Sequence, residues 1–71
     1  MSKRKLRREA QRRYSEARRE LFELRDSLDK AYCVFNSSSD PELIEASILE
    51  ISALQSRYGC MLRDIKKLCE A

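Results

Sequence analysis

The chain has 71 residues and a net charge of +3, with one glycine, one proline, three cysteines and no histidine. A chain of this length forms at most one small domain, and three isolated thiols without histidine cannot supply the four ligands of a structural zinc site. No run approaches the roughly 20 apolar residues that span a bilayer, so we expect neither a metal nor a membrane segment.

The cysteines and the N-terminal residues bear on cellular location. The number of cysteines is odd, and no two of them have C-x-x-C spacing: they are Cys33, Cys60 and Cys69. No apolar stretch typical of a secretory signal follows the basic N-terminus. We expect a reduced, cytoplasmic protein in which the cysteines are small apolar fillers. Small chains without disulfides or metals usually need a partner chain, which favours self-association.

The first predicted element is a helix from about residue 3 to residue 35. This segment contains no glycine or proline and is rich in Arg, Glu, Leu and Ala, which favour helices. Its apolar residues recur at alternating steps of four and three, as in the heptad seam of a helix packed lengthwise on another. The seam consists of Ala10, Tyr14, Ala17, Leu21, Leu24, Leu28, Ala31 and Phe35.

A polar turn at residues 36–40 follows. Pro41 cannot continue a helix but suits a first helical turn, so it marks the start of a second helix. Either Asp40 caps that start directly, or Ser39 caps it and pairs with Glu42 as in a capping box. Both alternatives begin the helix within a residue of Pro41.

The second predicted helix runs from about residue 41 to residue 68. Its seam again alternates threes and fours, and consists of Ile44, Ser47, Ile51, Leu54, Tyr58, Met61, Ile65 and Leu68. Gly59 costs about 1 kcal/mol relative to alanine inside a helix. It is either a tolerated surface glycine or the site of a local bend or a close contact with another chain.

So short a connection makes the two helices antiparallel neighbours. The sequence therefore predicts an all-α fold, a coiled-coil-like two-helix antiparallel hairpin that forms one domain over residues 1–71. If the turn is centred between Ser37 and Ser38, the numbers of facing residues sum to about 75. This register places the seam alanines opposite large side chains, although the heptad repeat allows other registers.

Several apolar residues lie outside the seams. Ile48 and Leu62 flank the second seam on one side, with Gln55 between them and Cys69 beyond. Two helices cannot cover so wide an apolar stripe. We therefore expect a second hairpin to pack against it and form a twofold four-helix bundle dimer. Alternatively, these residues only broaden the interface within one hairpin. The candidate self-association residues are Ile48, Leu62 and Cys69.

Positive charge is concentrated in residues 1–20, which contain nine Lys or Arg and three Glu, whereas the rest of the chain has six basic and nine acidic residues. Part of this segment is spaced for i,i+4 ion pairs: Glu9–Arg13, Arg12–Glu16 and Arg19–Glu23. The predicted register leaves the first basic residues at or beyond the end of the second helix, as an overhang of one to two turns.

Such a basic arm can attract nucleic acid, anionic lipid or an acidic protein. We expect salt-sensitive binding to DNA or RNA backbones without sequence preference. Membrane binding is disfavoured because Leu6 stands almost alone among the charges. The alternative is a solvated terminus that only aids solubility. The candidate contact residues are Lys3, Arg4, Lys5, Arg7, Arg8, Arg12 and Arg13.

Nothing in the sequence indicates catalysis. Histidine is absent, and there is neither a glycine-rich phosphate loop nor a nucleophile with a recognisable base. A hairpin this thin also offers little room for a buried pocket. We therefore expect no enzymatic activity, no cofactor and no small-molecule substrate.

The start of the second helix resembles a known family. Residues 39–46 have the sequence S-D-P-E-L-I-E-A, and residues 53–58 have A-L-Q-S-R-Y. This pattern resembles the YaaL-like proteins, short uncharacterised helical proteins of Gram-positive bacteria, over most of residues 20–68. The association of that family with genes for DNA recombination and replication implies a nucleic-acid role, and no family active site is carried over.

The sequence thus predicts a dimeric cytoplasmic binding or adaptor module that acts as a non-specific nucleic-acid accessory protein. The alternative is a protein–protein adaptor or structural hairpin whose basic arm is incidental.

Overall fold

The computed structural model describes residues 2–70, and the side chains of residues 2–69. It consists of two helices, α1 (Lys3–Ser37) and α2 (Pro41–Glu70), joined by the turn at residues 38–40. The helices pack against each other in a hairpin that measures 57 × 14 × 14 Å. The predicted helical hairpin is therefore confirmed.

α1 continues two residues beyond its predicted end. The Ser37 hydroxyl donates to the carbonyl oxygen of Cys33 at 2.6 Å, and the backbone N–H of Ser38 donates to that of Val34 at 3.0 Å. These bonds satisfy carbonyl groups that the end of a helix otherwise leaves free. Asn36 and Ser37, predicted as turn residues, therefore belong to α1.

Asp40 caps the start of α2. Its carboxylate oxygen Oδ1 accepts a hydrogen bond from the backbone N–H of Glu42 at 3.0 Å, and its carbonyl oxygen accepts one from Ile44 at 3.0 Å. The N–H of Asp40 donates to the hydroxyl of Ser38 at 3.1 Å, which ties the start of α2 to the end of α1. Of the two predicted capping arrangements, the structure has the one with Asp40 as cap and Pro41 as the first helical residue.

Burial follows the two predicted seams. Among residues 2–69, every buried residue is a seam member, and the set is Leu24, Ala31, Ser47, Ile51 and Leu54. Three partly buried seam residues pack against them: Leu28, Tyr58 and Met61. Near the ends of α1 the seam residues Ala10 and Phe35 are exposed. The core is therefore a narrow strip along the middle of the hairpin.

The register of the hairpin differs from the predicted one. The Gln55 side-chain amide donates a 2.7 Å hydrogen bond to the Tyr32 hydroxyl. The predicted register would separate these residues by about 12 positions, or about 18 Å along the helix axis, which is beyond the reach of the two side chains. This bond, together with the position of the turn at residues 38–40, indicates that facing numbers sum to more than the predicted 75.

The shifted register moves Ala31 away from its predicted neighbour Ile44. Two small residues, Ala31 and Ser47, are the most buried of the described chain, at 3% and 4% exposure. Small residues let two helix backbones approach closely, and the Ser47 hydroxyl is satisfied by the carbonyl oxygen of Leu43 at 2.8 Å.

Removal of the Asp40 cap tests the start of α2. We expect Asp40→Ala to lower the free energy of unfolding by about 1 kcal/mol, because the N–H of Glu42 loses its acceptor. Ser39→Ala is the matched control and should leave stability unchanged within about 0.5 kcal/mol. Urea denaturation followed by circular dichroism measures both, and an equal loss from the two variants would contradict the assigned cap.

Substitution of Ala31 tests the close approach of the helices. Ala31→Leu should destabilise the hairpin by about 1–3 kcal/mol, because Ala31 is buried and the larger side chain has no space there. Ala53→Leu makes the same chemical change at an exposed position of α2 and should be nearly neutral, since leucine and alanine both favour helices. Equal thermal midpoints for the two variants would rule out close packing of the helices at Ala31.

Candidate functional site

The first residues of α1 extend beyond α2 at the end of the hairpin opposite the turn, called the open end below. α1 has 35 residues and α2 has 30, so with the helix ends level at the turn, α1 overhangs by about 7 Å. Lys3 and Arg7 occupy positions that would continue the α1 seam, and both are exposed. Charged side chains are tolerated at these positions because no facing helix buries them.

The structure places all seven candidate contact residues on the exposed surface of this segment, residues 3–13, called the basic arm below. Lys5, Arg8 and Arg12 follow one another at steps of three and four, so they lie on one face of α1. In the heptad this face is opposite the seam. The other four members are spread around the remaining circumference: Lys3, Arg4, Arg7 and Arg13.

The ion pairs expected along α1 are not formed. Among the described residues, only Asp26 and Lys30 have side chains within ion-pair distance, at 3.1 Å, and they lie near the turn. The prediction of pairs between residues 9 and 23 is therefore wrong. Exposed long side chains gain little energy from such pairs and lose rotamer freedom by forming them.

Arg18 is engaged differently from the cations of the basic arm. Its guanidinium carbon lies 5.8 Å from the centre of the Tyr14 ring, within the range of a cation–π contact. Tyr14 is a partly buried seam residue, so this contact holds Arg18 against the hairpin.

The end of α2 adds positive charge beside the basic arm. Arg63, Lys66 and Lys67 are exposed in the last turns of α2, and antiparallel packing brings these turns next to the first turns of α1. They are not among the sequence-predicted contact residues. The signal that could have identified them is the hairpin itself, because it places the end of the second helix beside the start of the first.

The hairpin leaves a line of apolar residues along α2 uncovered. Ile48 and Leu62 are 51% and 44% exposed, and Cys69 is exposed. Gln55, midway between the first two, binds the hydroxyl of Tyr32, which brings an aromatic ring of α1 to the same surface. These five residues are called the apolar stripe below. Tyr32 is the member that the sequence prediction omitted, although it occupies the equivalent flank of the α1 seam.

The three cysteines lie on the surface and are not core fillers. Cys33, Cys60 and Cys69 are all exposed, because their heptad positions fall outside the two seams. The expected filler role is therefore wrong. The Cys60 sulfur accepts a hydrogen bond from Arg63 at 3.2 Å, within the last turns of α2.

Gly59 has free space around it. A Cβ atom added to this residue would meet no atom within 4 Å, so packing within one chain does not require glycine. Of the two interpretations of Gly59, a tolerated surface glycine agrees with this geometry, and the monomer contains no close contact there.

A shallow groove lies on the flank opposite the apolar stripe. Its volume is about 680 Å³, its floor includes Leu24, Leu54 and Met61, and Glu20 and Arg57 are among its polar walls. Across the described residues, no cluster of three or more His, Cys, Asp or Glu side chains is arranged to hold a metal ion.

Neither helix, within residues 2–70, has a stretch long and apolar enough to cross a membrane. No protein-family model, curated protein or solved structure matches the chain. The two surfaces that distinguish this hairpin are the basic arm and the apolar stripe.

Proposed function

We propose that this protein is a small cytoplasmic binding module without enzymatic activity, and that it contacts DNA or RNA backbones through its basic arm. The observation that carries this proposal is the basic arm at the open end, whose seven Lys and Arg residues are exposed and have no ion-pair partner within the described chain. Cations that are not neutralised by their own chain keep their attraction for phosphate. When they bind, they release counterions from the nucleic acid, and this release favours binding.

The composition of the basic arm favours nucleic acid over a lipid surface. A helix that lies on a membrane needs an apolar face opposite its charges, whereas Leu6, at 49% exposure, is the only large apolar side chain of this segment. The arm contains no aromatic residue for base stacking. Binding should therefore be electrostatic and independent of base sequence.

The cationic face also has a suitable length. Lys5, Arg8, Arg12 and Arg19 follow one side of α1, and from the first to the last they cover about 21 Å, the axial length of about six base pairs. Such a face can contact several consecutive phosphates without bending the nucleic acid. The resemblance of residues 39–58 to the YaaL-like family stays a prediction, and the gene association of that family adds support to this proposal.

We also propose that the module is a homodimer, a four-helix bundle formed through the apolar stripe. The accessible surface of the chain is 6135 Å², whereas a compact monomer of 8.4 kDa exposes about 4,600 Å². The excess is larger than the roughly 800 Å² that each partner buries in a standard interface. A second hairpin on the stripe would remove much of this excess from water.

A protein–protein adaptor is the second candidate, and a separate observation favours it. Phe22 and Leu49 are 72% and 68% exposed, and both lie outside the seams and outside the apolar stripe. Large apolar side chains at such positions can anchor a partner protein. In that case the basic arm contributes solubility or a general electrostatic attraction.

Charge reversal in the basic arm tests the nucleic-acid contact. Wild-type binding to a short DNA duplex and to RNA, measured by fluorescence anisotropy, should weaken with a slope of about −4 to −6 in log affinity against log salt for five to seven phosphate contacts. Arg8→Glu combined with Arg12→Glu should reduce the magnitude of this slope by about 2 and weaken binding at low salt by at least about tenfold.

The control for that test is Arg25→Glu combined with Lys30→Glu, which makes the same charge change in α1 nearer the turn. Its affinity should fall much less, because these residues lie away from the arm. Equal losses in both double variants would mean that net charge alone controls binding. If the wild type shows no binding at low salt, the nucleic-acid proposal is wrong and the adaptor candidate stands.

A glutamate placed in the apolar stripe tests self-association. Sedimentation equilibrium across a concentration series should give a dimer mass for the wild type, and Ile48→Glu should raise the dissociation constant at least about tenfold, because the charge must be desolvated in the interface. Leu49→Glu is the matched control, since its side chain is more exposed but lies off the stripe. A wild-type chain that stays monomeric at high concentration contradicts the dimer.

A further inference from the structure

The hairpin is electrically polar along its length. Residues 21–56, which form the turn half, contain two Lys or Arg and seven Asp or Glu. Residues 1–20 and 57–71, which form the open half, contain thirteen Lys or Arg and five Asp or Glu. The net charges are therefore −5 in the turn half and +8 in the open half. Because the structure is a rod 57 Å long, the two signs lie at opposite ends.

The apolar stripe crosses the boundary between these halves. Ile48 lies in the turn half, whereas Leu62 and Cys69 lie in the open half. A second copy that packs on the stripe can be arranged in two ways about a twofold axis. In the parallel arrangement the two open halves are side by side, and in the antiparallel arrangement each open half lies beside the turn half of the partner.

The stripe is symmetric about Gln55. Ile48 and Leu62 are each seven positions from it, in opposite directions along α2. An antiparallel copy related by an axis at Gln55 therefore places Ile48 of one chain against Leu62 of the other, twice. Tyr32, which is bonded to Gln55, then lies near the axis and supplies an aromatic ring from each copy to the centre of the contact.

We propose that the occupant of the apolar stripe is a second copy of this chain in the antiparallel orientation. Helices in contact lie about 8–10 Å apart, which is no more than the Debye length of about 10 Å at 0.1 M salt. The parallel arrangement brings +8 beside +8 and −5 beside −5 at that spacing, whereas the antiparallel one brings opposite charges together. The same arrangement places the two basic arms at opposite ends of the particle.

This inference depends on the proposed self-association, so its test separates orientation from dimer formation. The full chain with Cys33→Ser and Cys60→Ser retains one thiol, Cys69, for a spin label, and pulsed electron paramagnetic resonance measures the distance between the labels of a dimer. Cys69 is 14 positions from Gln55, so the antiparallel dimer should give about 42 Å. The parallel dimer should give less than about 20 Å.

A second label site lies off the stripe. It shows whether a label at Cys69, which lies on the stripe, disturbs the interface. Lys67→Cys, in a chain whose three native cysteines are changed to serine, should give about 36 Å in the antiparallel dimer.

Added salt provides an independent measurement. The dissociation constant of the antiparallel dimer should rise severalfold from low to high salt, whereas that of a parallel dimer should fall.

The outcomes separate cleanly. Long distances at both label sites, together with a dissociation constant that rises with salt, support the antiparallel copy. Short distances, or a dissociation constant that falls with salt, overturn the orientation and leave the dimer intact. A monomeric mass with no coupling between labels overturns the dimer itself, and the orientation with it.

Discussion

The three-residue turn is the constraint on which the other features depend. Asp40 caps α2 through its carboxylate and contacts Ser38 through its backbone N–H, so the end of one helix and the start of the next are bonded together within a few residues. A turn this short leaves only antiparallel neighbours as an arrangement. It also holds the helix ends level, and this sets the register of the whole hairpin.

Two consequences of that register lie at opposite ends of the molecule. In the half nearer the turn, Ala31 and Ser47 are the most buried residues of the described chain, and their small side chains let the backbones approach closely. At the open end, α1 is longer than α2, so its first residues have no facing helix. For this reason the fold tolerates charged side chains at the positions that continue the seam. The basic arm projects into solvent.

The thin core links the packing to the surfaces. A hairpin buries one seam from each helix, and among residues 2–69 only five are buried while Ile48 and Leu62 remain about half exposed. The polarity of charge along the rod supports both proposals. It would attract a phosphate backbone to the open end rather than to the acidic turn half, and it would favour a second copy whose ends are reversed.

Much of this protein was determined by its sequence through local rules. Helix-forming composition, the three-and-four spacing of the seams, and Pro41 after a polar turn identify both helices and their antiparallel arrangement, because each is a property of residues close together in the chain. The basic arm is visible for the same reason. The exact end of α1 was missed because the side-chain bond from Ser37 and the backbone bond from Ser38 continue the helix two residues into the predicted turn.

The tertiary structure alone decided the register, the exposure of the cysteines, the absence of the expected ion pairs and the addition of Lys66 and Lys67 to the open end. A heptad repeats every seven residues, so the seam pattern fits several registers, and only a contact between helices such as Tyr32–Gln55 distinguishes them. Exposed charges at i,i+4 spacing differ little in energy whether paired or solvated, so their spacing could not determine their partners.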